Sequence, residues 1–170
     1  MKKETYIKMT QPFRENPDLA KGIHMANKLC TGVMYLAYPL LLVYLFFFEK
    51  YSSYFSFWKA LFVPGISFVA LSVGRAIINR PRPYEAFEIP PVIPKDTKGN
   101  SFPSRHVFSA TIIAVTFILM SPWSWLGVLF LGMSVALAVV RVISGVHYIS
   151  DVVAGIVVAI LAGVIGYLVL

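Results

Sequence analysis

The stretch Arg141-Val-Ile-Ser-Gly-Val-His147-Tyr-Ile-Ser-Asp151 sets one of three histidines four residues before a carboxylate, between long apolar runs. An ionisable group in such a setting is costly to bury, so it points to a functional site with a partner close by. For His147 that partner is Asp151. A carboxylate against one imidazole nitrogen fixes the tautomer and leaves the other nitrogen a better nucleophile or base. Ser144-Gly145 permits a chain break just before the pair.

Two further constellations carry the complementary charge. Ser101-Phe-Pro103-Ser104-Arg105-His106 precedes an apolar run, with Ser104 placed to cap a helix whose first N–H groups would form an anion site. A cation at a helix N-terminus opposes the helix dipole unless an anion sits there, which gives Arg105 and His106 a reason to follow the cap. In Arg75-Ala-Ile-Ile-Asn-Arg80-Pro-Arg82-Pro83, Arg75 and Arg82 are seven apart and share a face of an uninterrupted helix, although Pro81 and Pro83 make the second half non-helical. These arginines read either as snorkelling anchors at a helix end or as guanidinium forks for an oxyanion; three in eight residues favour the oxyanion. His106, His147 and Asp151 also form a legitimate metal-ligand set, but the surrounding arginines would repel a cation and attract an anion.

The elements that must position these groups are membrane helices. The chain has 170 residues, 58% of them hydrophobic and 14% charged, too apolar for an ordinary soluble domain and too short for more than one compact membrane unit. Uncharged runs cover 29–48, 60–74, 107–140 and 152–170, against the roughly 20 residues that cross a bilayer core. Ser121-Pro122-Trp123 divides the longest run by a turn signal with an interfacial aromatic. The expectation is an all-α integral-membrane helical bundle with five spans, about 29–48, 57–79, 104–120, 123–143 and 149–170.

Residues 1–28 carry six Lys/Arg against three Asp/Glu, and Leu19, Ile23, Ala26 and Cys30 recur at helical spacing opposite Lys21 and Lys28. They read as an amphipathic interfacial segment leading into a single transmembrane domain over 29–170, with no pattern of a cleaved secretory signal. Cys30 is a small apolar filler, and His24 is an interfacial polar residue. The net charge of +7 does not indicate nucleic acid, because the aromatics sit inside the spans and the basic residues flank them. Basic residues of the N-terminal segment suit anionic headgroups instead. From Arg80 to Pro103 the chain holds six of its eleven prolines, which excludes a continuous helix and predicts an ordered, restrained loop. No internal repeat or domain linker is present.

Taken together, Arg75, six residues, Arg82-Pro83; Pro103-Ser104-Arg105-His106; and Arg141, five residues, His147, three residues, Asp151 resemble the three-part signature of the type 2 phosphatidic acid phosphatase superfamily. These integral-membrane lipid phosphatases are related to vanadium haloperoxidases and bacterial class A acid phosphatases. The resemblance runs from about residue 58 to the C-terminus. Four features depart from the usual pattern: Arg75 stands for a lysine, Arg105 for a glycine, Val140 for a serine, and residues 1–28 stand where a first of six spans is usual.

The resemblance implies that His147 attacks phosphorus, that Asp151 orients it, and that His106 protonates the leaving oxygen and later activates water. Arg75, Arg82, Ser104, Arg105 and Arg141 would hold the non-bridging oxygens. It implies no metal and no cofactor. The expected activity is hydrolysis of a lipid phosphate or diphosphate of the undecaprenyl diphosphate, phosphatidylglycerol phosphate or phosphatidic acid class. The alternatives are a lipid phosphotransferase of the same fold and a non-catalytic membrane anion-binding or scaffold protein. A cytoplasmic N-terminal segment would put the site on the cytoplasmic side after two spans. The family's usual arrangement faces outward, and an extracytoplasmic site is the expectation adopted.

Overall fold

In lipid each backbone N–H and C=O must be satisfied within its own segment, so the apolar runs have little choice but to become helices. The computed structural model describes residues 2–48, 53–95 and 97–169. It shows α1 (Lys3–Glu15), α2 (Pro17–Phe47), α3 (Ser53–Ile78), the short α4 (Pro83–Phe87), α5 (Arg105–Met120), α6 (Ser124–Ile143) and α7 (Ile149–Val164), which continues into a π-helical turn (Ile165–Val169). The described residues contain no strand, as the all-α expectation requires. Met1 and Leu170, the outer ends of the first segment and last span expected from sequence, lie outside the described residues.

Among the described residues four stretches are long and apolar enough to cross a bilayer: α2, Phe55–Phe87, which takes in most of α3, then α6, and Ile149–Leu168 containing α7. The fifth expected span, α5, has only 16 residues. It is the central helix, with eleven of those residues buried, so its surroundings are protein rather than lipid. Leu36, Leu40 and Val43 of α2 and Ile66, Val69 and Val73 of α3 remain exposed, as lipid-facing residues do. On the inner side Met34, Leu41 and Leu45 join Ala110, Ala114, Phe117, Phe130 and Leu137 in the main core.

The boundary expected at residue 28 falls within α2. α2 starts at Pro17, because the Asn16 side chain accepts the Asp18 and Leu19 N–H groups at 3.0 and 3.3 Å and proline suits the first helical position. Residues 17–28 are therefore the opening turns of the first long helix. α1 is a separate helix, and its Tyr6 and Thr10 are fully buried. α3 ends at Ile78 and Pro83 begins the separate α4, where a proline loses no intrahelical bond, so no continuous helix runs through the proline-rich stretch, as expected. The break at 121–123 holds: the Ser121 hydroxyl accepts the Trp123 N–H at 3.0 Å, and the Trp123 ring lies 4.7 Å from Tyr44.

Long helices that alternate in direction gather α1, the start of α2, the 79–104 loop and the 144–148 turn at one end. Tyr6 reaches Gly145, and Asn27 reaches Arg141. α7 approaches the start of α5 closely because residue 155 is glycine: a Cβ there would stand 2.8 Å from the Ser104 carbonyl oxygen. That approach lets the Ser104 N–H donate to the Asp151 carbonyl at 2.8 Å.

Candidate active site

His147 sits in the turn that joins α6 to α7. The turn folds back on the end of α6, with the N–H groups of Val146 and His147 both donating to the Arg141 carbonyl, at 3.3 and 3.2 Å. Asp151, three residues into α7's start, reaches back to accept the Tyr148 N–H at 3.0 Å, the half of a capping box that satisfies an orphan helix donor. The same Oδ2 lies 3.4 Å from His147 Nδ1 and accepts the Ser101 hydroxyl, while Oδ1 accepts Arg80 Nη1 at 2.9 Å. His147 and Asp151 are both buried. Burial pushes the imidazole down to about 4, against the opposing Asp151 hydrogen bond and with help from the charges of Arg141 and Arg82. His147 is thus neutral at pH 7, with Nδ1–H on the carboxylate and an unprotonated Nε2.

His106, at the second residue of α5, has the complementary tautomer. Arg141 Nη2 lies 3.5 Å from His106 Nδ1. A guanidinium only donates, so this contact needs the Nδ1 lone pair and leaves the proton on Nε2. Arg141 also donates to Asn27 Oδ1 at 3.2 Å, while its buried Nε has no protein partner.

Arg75 and Arg82 bind the loop as well as face the cavity. Arg82 donates from Nε to the Gly99 carbonyl at 3.0 Å and from Nη1 to the Val146 carbonyl at 3.4 Å. Glu85 accepts the Arg82 N–H at 2.7 Å and the Gly99 N–H at 3.0 and 2.9 Å, which closes that part of the loop. Arg75 is buried and donates to the carbonyls of Pro103, at 2.5 Å, and Asn100. It is not a snorkelling anchor. Arg105 is exposed, with its guanidinium carbon 5.6 Å from the Phe68 ring centre.

Ser104 departs from the expected cap. It occupies the N-cap position of α5 but makes no capping hydrogen bond, and its buried hydroxyl has no partner. Among the described residues no group of three His, Cys, Asp or Glu side chains is placed to share a metal ion, because His106 is turned towards Arg141 and not towards Asp151.

A cavity of about 190 Å³ brings together Arg75, Arg82, Arg105, His106, Arg141 and His147, with Asp151 behind His147. Lys95, Thr97 and Asn100 of the loop also line it, and sequence reasoning did not single them out. Arg80 and Ser101 were seen only as members of their clusters. The signal for Arg80 was its place in the three-arginine run; nothing marked Ser101 as a partner of Asp151.

The sequence profile described as the PAP2 superfamily matches residues 56–170. Two solved structures share the fold. LpxE of Aquifex aeolicus is 22% identical with a TM-score of 0.72, over 96% of this chain and 92% of that one. A transmembrane PAP2-type phosphatidylglycerolphosphate phosphatase of Bacillus subtilis is 19% identical with a TM-score of 0.68, over 96% and 83% respectively. No curated protein matches the sequence.

Proposed function

The chain belongs to the PAP2 superfamily, and from that premise we propose that it is a membrane phosphatase that hydrolyses a lipid phosphate or diphosphate through a phosphohistidine on His147. The observation that carries this reading is a cavity walled by guanidinium groups, into which an Asp151-backed, neutral His147 and an Arg141-oriented His106 both project. An apolar groove of about 990 Å³ along α2, lined by Leu29, Val33 and Leu36, extends to Val92 and Pro94, beside Lys95 of the cavity. That contiguity suits an anionic head carried on hydrocarbon. The same chemistry serves the undecaprenyl diphosphate, phosphatidylglycerol phosphate and phosphatidic acid classes.

In this mechanism the bound phosphate draws Arg141 off His106 Nδ1, which takes up a proton from solvent. His147 Nε2 then attacks phosphorus in line, the P–O ester bond breaks, and the leaving oxygen takes the Nε2 proton of the His106 imidazolium, leaving it neutral with Nδ1–H. The imidazolium that forms keeps its Nδ1–H on Asp151. Water then attacks the phosphohistidine, gives its proton to His106 Nε2, and releases phosphate as the P–N bond breaks. Arg75, Arg82 and Arg141, with the backbone N–H of Arg105 and the free hydroxyl of Ser104, hold the non-bridging oxygens, where phosphoryl-transfer catalysis mostly resides. Positive charge comes from guanidinium groups, so the scheme uses no metal.

Residues 29–170 form the catalytic unit in this reading, with the N-terminal segment braced against it through Tyr6. We place the site on the extracytoplasmic face, the arrangement implied by the family resemblance. α1 lies at the same end as the site, so an impermeant thiol reagent should label single cysteines in α1 and in the 79–104 loop from outside, in a Cys30→Ala background.

The decisive experiment is rapid quenching with a phosphorus-labelled lipid phosphate. The wild type should yield an acid-labile, alkali-stable phosphoenzyme, and His147→Ala none. Labelling that survives this substitution removes His147 from the mechanism. Product analysis with an added lipid acceptor separates hydrolysis from phosphotransfer, and chelators should leave turnover intact.

A further inference from the structure

We propose that Arg80 and Ser101 are positioning residues that fix the Asp151 carboxylate behind His147, so that the imidazole presents one tautomer at one angle to the phosphate. The proposal rests on the reading of His147 as nucleophile. Arg80 belongs to the arginine run but does not line the cavity. Its Nη1 instead donates to Ser150 Oγ at 2.8 Å and to Asp151 Oδ1 at 2.9 Å, and its guanidinium carbon lies 4.1 Å from the Tyr148 ring centre. The Arg80 carbonyl accepts the Ser101 N–H at 2.9 Å, and the Ser101 hydroxyl donates to Asp151 Oδ2. Residues at the two ends of the proline-rich loop are therefore joined to each other and, independently, to opposite oxygens of one carboxylate.

This arrangement bears on catalysis through the sharing of Oδ2. That oxygen faces three donors, Ser101 Oγ, Tyr148 N–H and His147 Nδ1, and the His147 contact is the longest at 3.4 Å. With Oδ1 anchored on Arg80, the carboxylate cannot rotate away from the imidazole without breaking an ion pair. When His147 becomes cationic on phosphorylation, its Nδ1–H is the donor that gains most from a carboxylate already in place.

Among the described residues, the other charged groups that line the cavity with His147 are cations or an imidazole: Arg75 from α3, Arg82 ahead of α4, Lys95 from the loop, Arg105 and His106 from α5, and Arg141 from α6. Asp151 from α7 is the sole opposing charge among these, and Arg80 partly neutralises it from behind. Removing Arg80 leaves more of the Asp151 charge acting on His147, so the imidazole should protonate more readily.

The test uses the full chain in detergent micelles with Arg80→Ala, Arg80→Lys and Ser101→Ala. One readout is kcat and KM on a lipid phosphate; the other is the NMR titration of the His147 imidazole without substrate. Arg80→Ala should lower kcat roughly tenfold to a hundredfold at near-constant KM, and raise the imidazole titration by about one pH unit. Arg80→Lys should recover part of both, and Ser101→Ala should lower kcat at constant KM. A raised KM and weakened vanadate inhibition with kcat unchanged would make Arg80 a phosphate ligand and overturn the proposal. So would an imidazole titration unmoved by Arg80→Ala. Should Arg80→Ala fail to fold, Ser101→Ala decides: an unchanged kcat there refutes the proposal. A wild type that releases no phosphate refutes the hydrolase reading, while the imidazole titration still tests the clasp on Asp151.

Discussion

The Tyr6 phenol oxygen lies 3.4 Å from the Gly145 carbonyl oxygen, and a Cβ at position 145 would stand 2.5 Å from that phenol. The N-terminal helix and the turn that presents His147 therefore share a contact with no spare room. Tyr6 also reaches the Ile89 carbonyl at 3.3 Å, and its ring centre is 5.3 Å from that of Phe87. Gly145 has φ +78°, where a side chain is strained even without a neighbour. Gly145→Ala should thus destabilise the protein by roughly 1–3 kcal/mol, and Tyr6→Phe by about 1 kcal/mol. Pairing Gly145→Ala with Tyr6→Ala should relieve the clash but not the backbone strain. Thermal unfolding in detergent reads all of these, and a Gly145→Ala protein as stable as wild type would contradict the packing.

The depressed basicity of His147 sets a pH dependence. Burial holds the folded imidazole near 4 while an unfolded histidine protonates near 6.5. Between those values the unfolded chain binds the extra proton, so stability rises with pH across this window and is lost as pH falls through it. The loss attached to His147 is on the order of 3 kcal/mol, and His147→Gln should reduce the slope of the unfolding temperature against pH there. For activity, the acid limb of kcat/KM, corrected for substrate ionisation near pH 6, should fall well below pH 6. An acid limb at the ordinary histidine value would show that the free enzyme does not bury this imidazole.

Ser104 offers a separation of stability from function. Its hydroxyl is buried without a protein partner, so the folded state gains no hydrogen bond from it. Ser104→Ala should leave the unfolding temperature unchanged or slightly raised, yet lower kcat/KM roughly tenfold or more because one oxyanion donor is lost. A drop in stability at unchanged kcat/KM would return Ser104 to a purely structural role.

The parts of this architecture written in local periodicity were legible in the sequence. Uncharged runs and the Ser121-Pro122-Trp123 break placed seven of the helix starts or ends within one residue, because lipid leaves an apolar segment no alternative to helix. Spacing also marked the eight candidate site residues, six of which line one cavity. What escaped depends on contacts across the fold. Nothing local says that Tyr6 packs on a turn 139 residues away, or that Ser101 faces Asp151 across 50. The start of α2 was misplaced for a different reason: polar residues near its beginning obscured a helix whose Asn16-Pro17 start is clear once its cap is seen.

Arg75 stands where the family signature has lysine, and the structure gives the substitution a physical content. One Arg75 nitrogen donates to the Pro103 carbonyl and the other to the Asn100 carbonyl, so a single guanidinium closes the end of the loop while lining the cavity that holds His147. A lysine carries the charge on one compact ammonium and cannot reproduce that planar fork. Arg75→Lys should therefore keep the electrostatic part of binding and lose the bracing, with kcat/KM down about tenfold and stability down by about 1 kcal/mol. Arg75→Ala loses both, and kcat/KM should fall by roughly two to three orders of magnitude. Steady-state kinetics and thermal unfolding on the two variants separate the contributions. Equal damage from both would mean that the fork alone matters. A lysine variant equal to wild type in rate and stability would mean that the two carbonyl contacts are incidental, and that positive charge is all this position supplies.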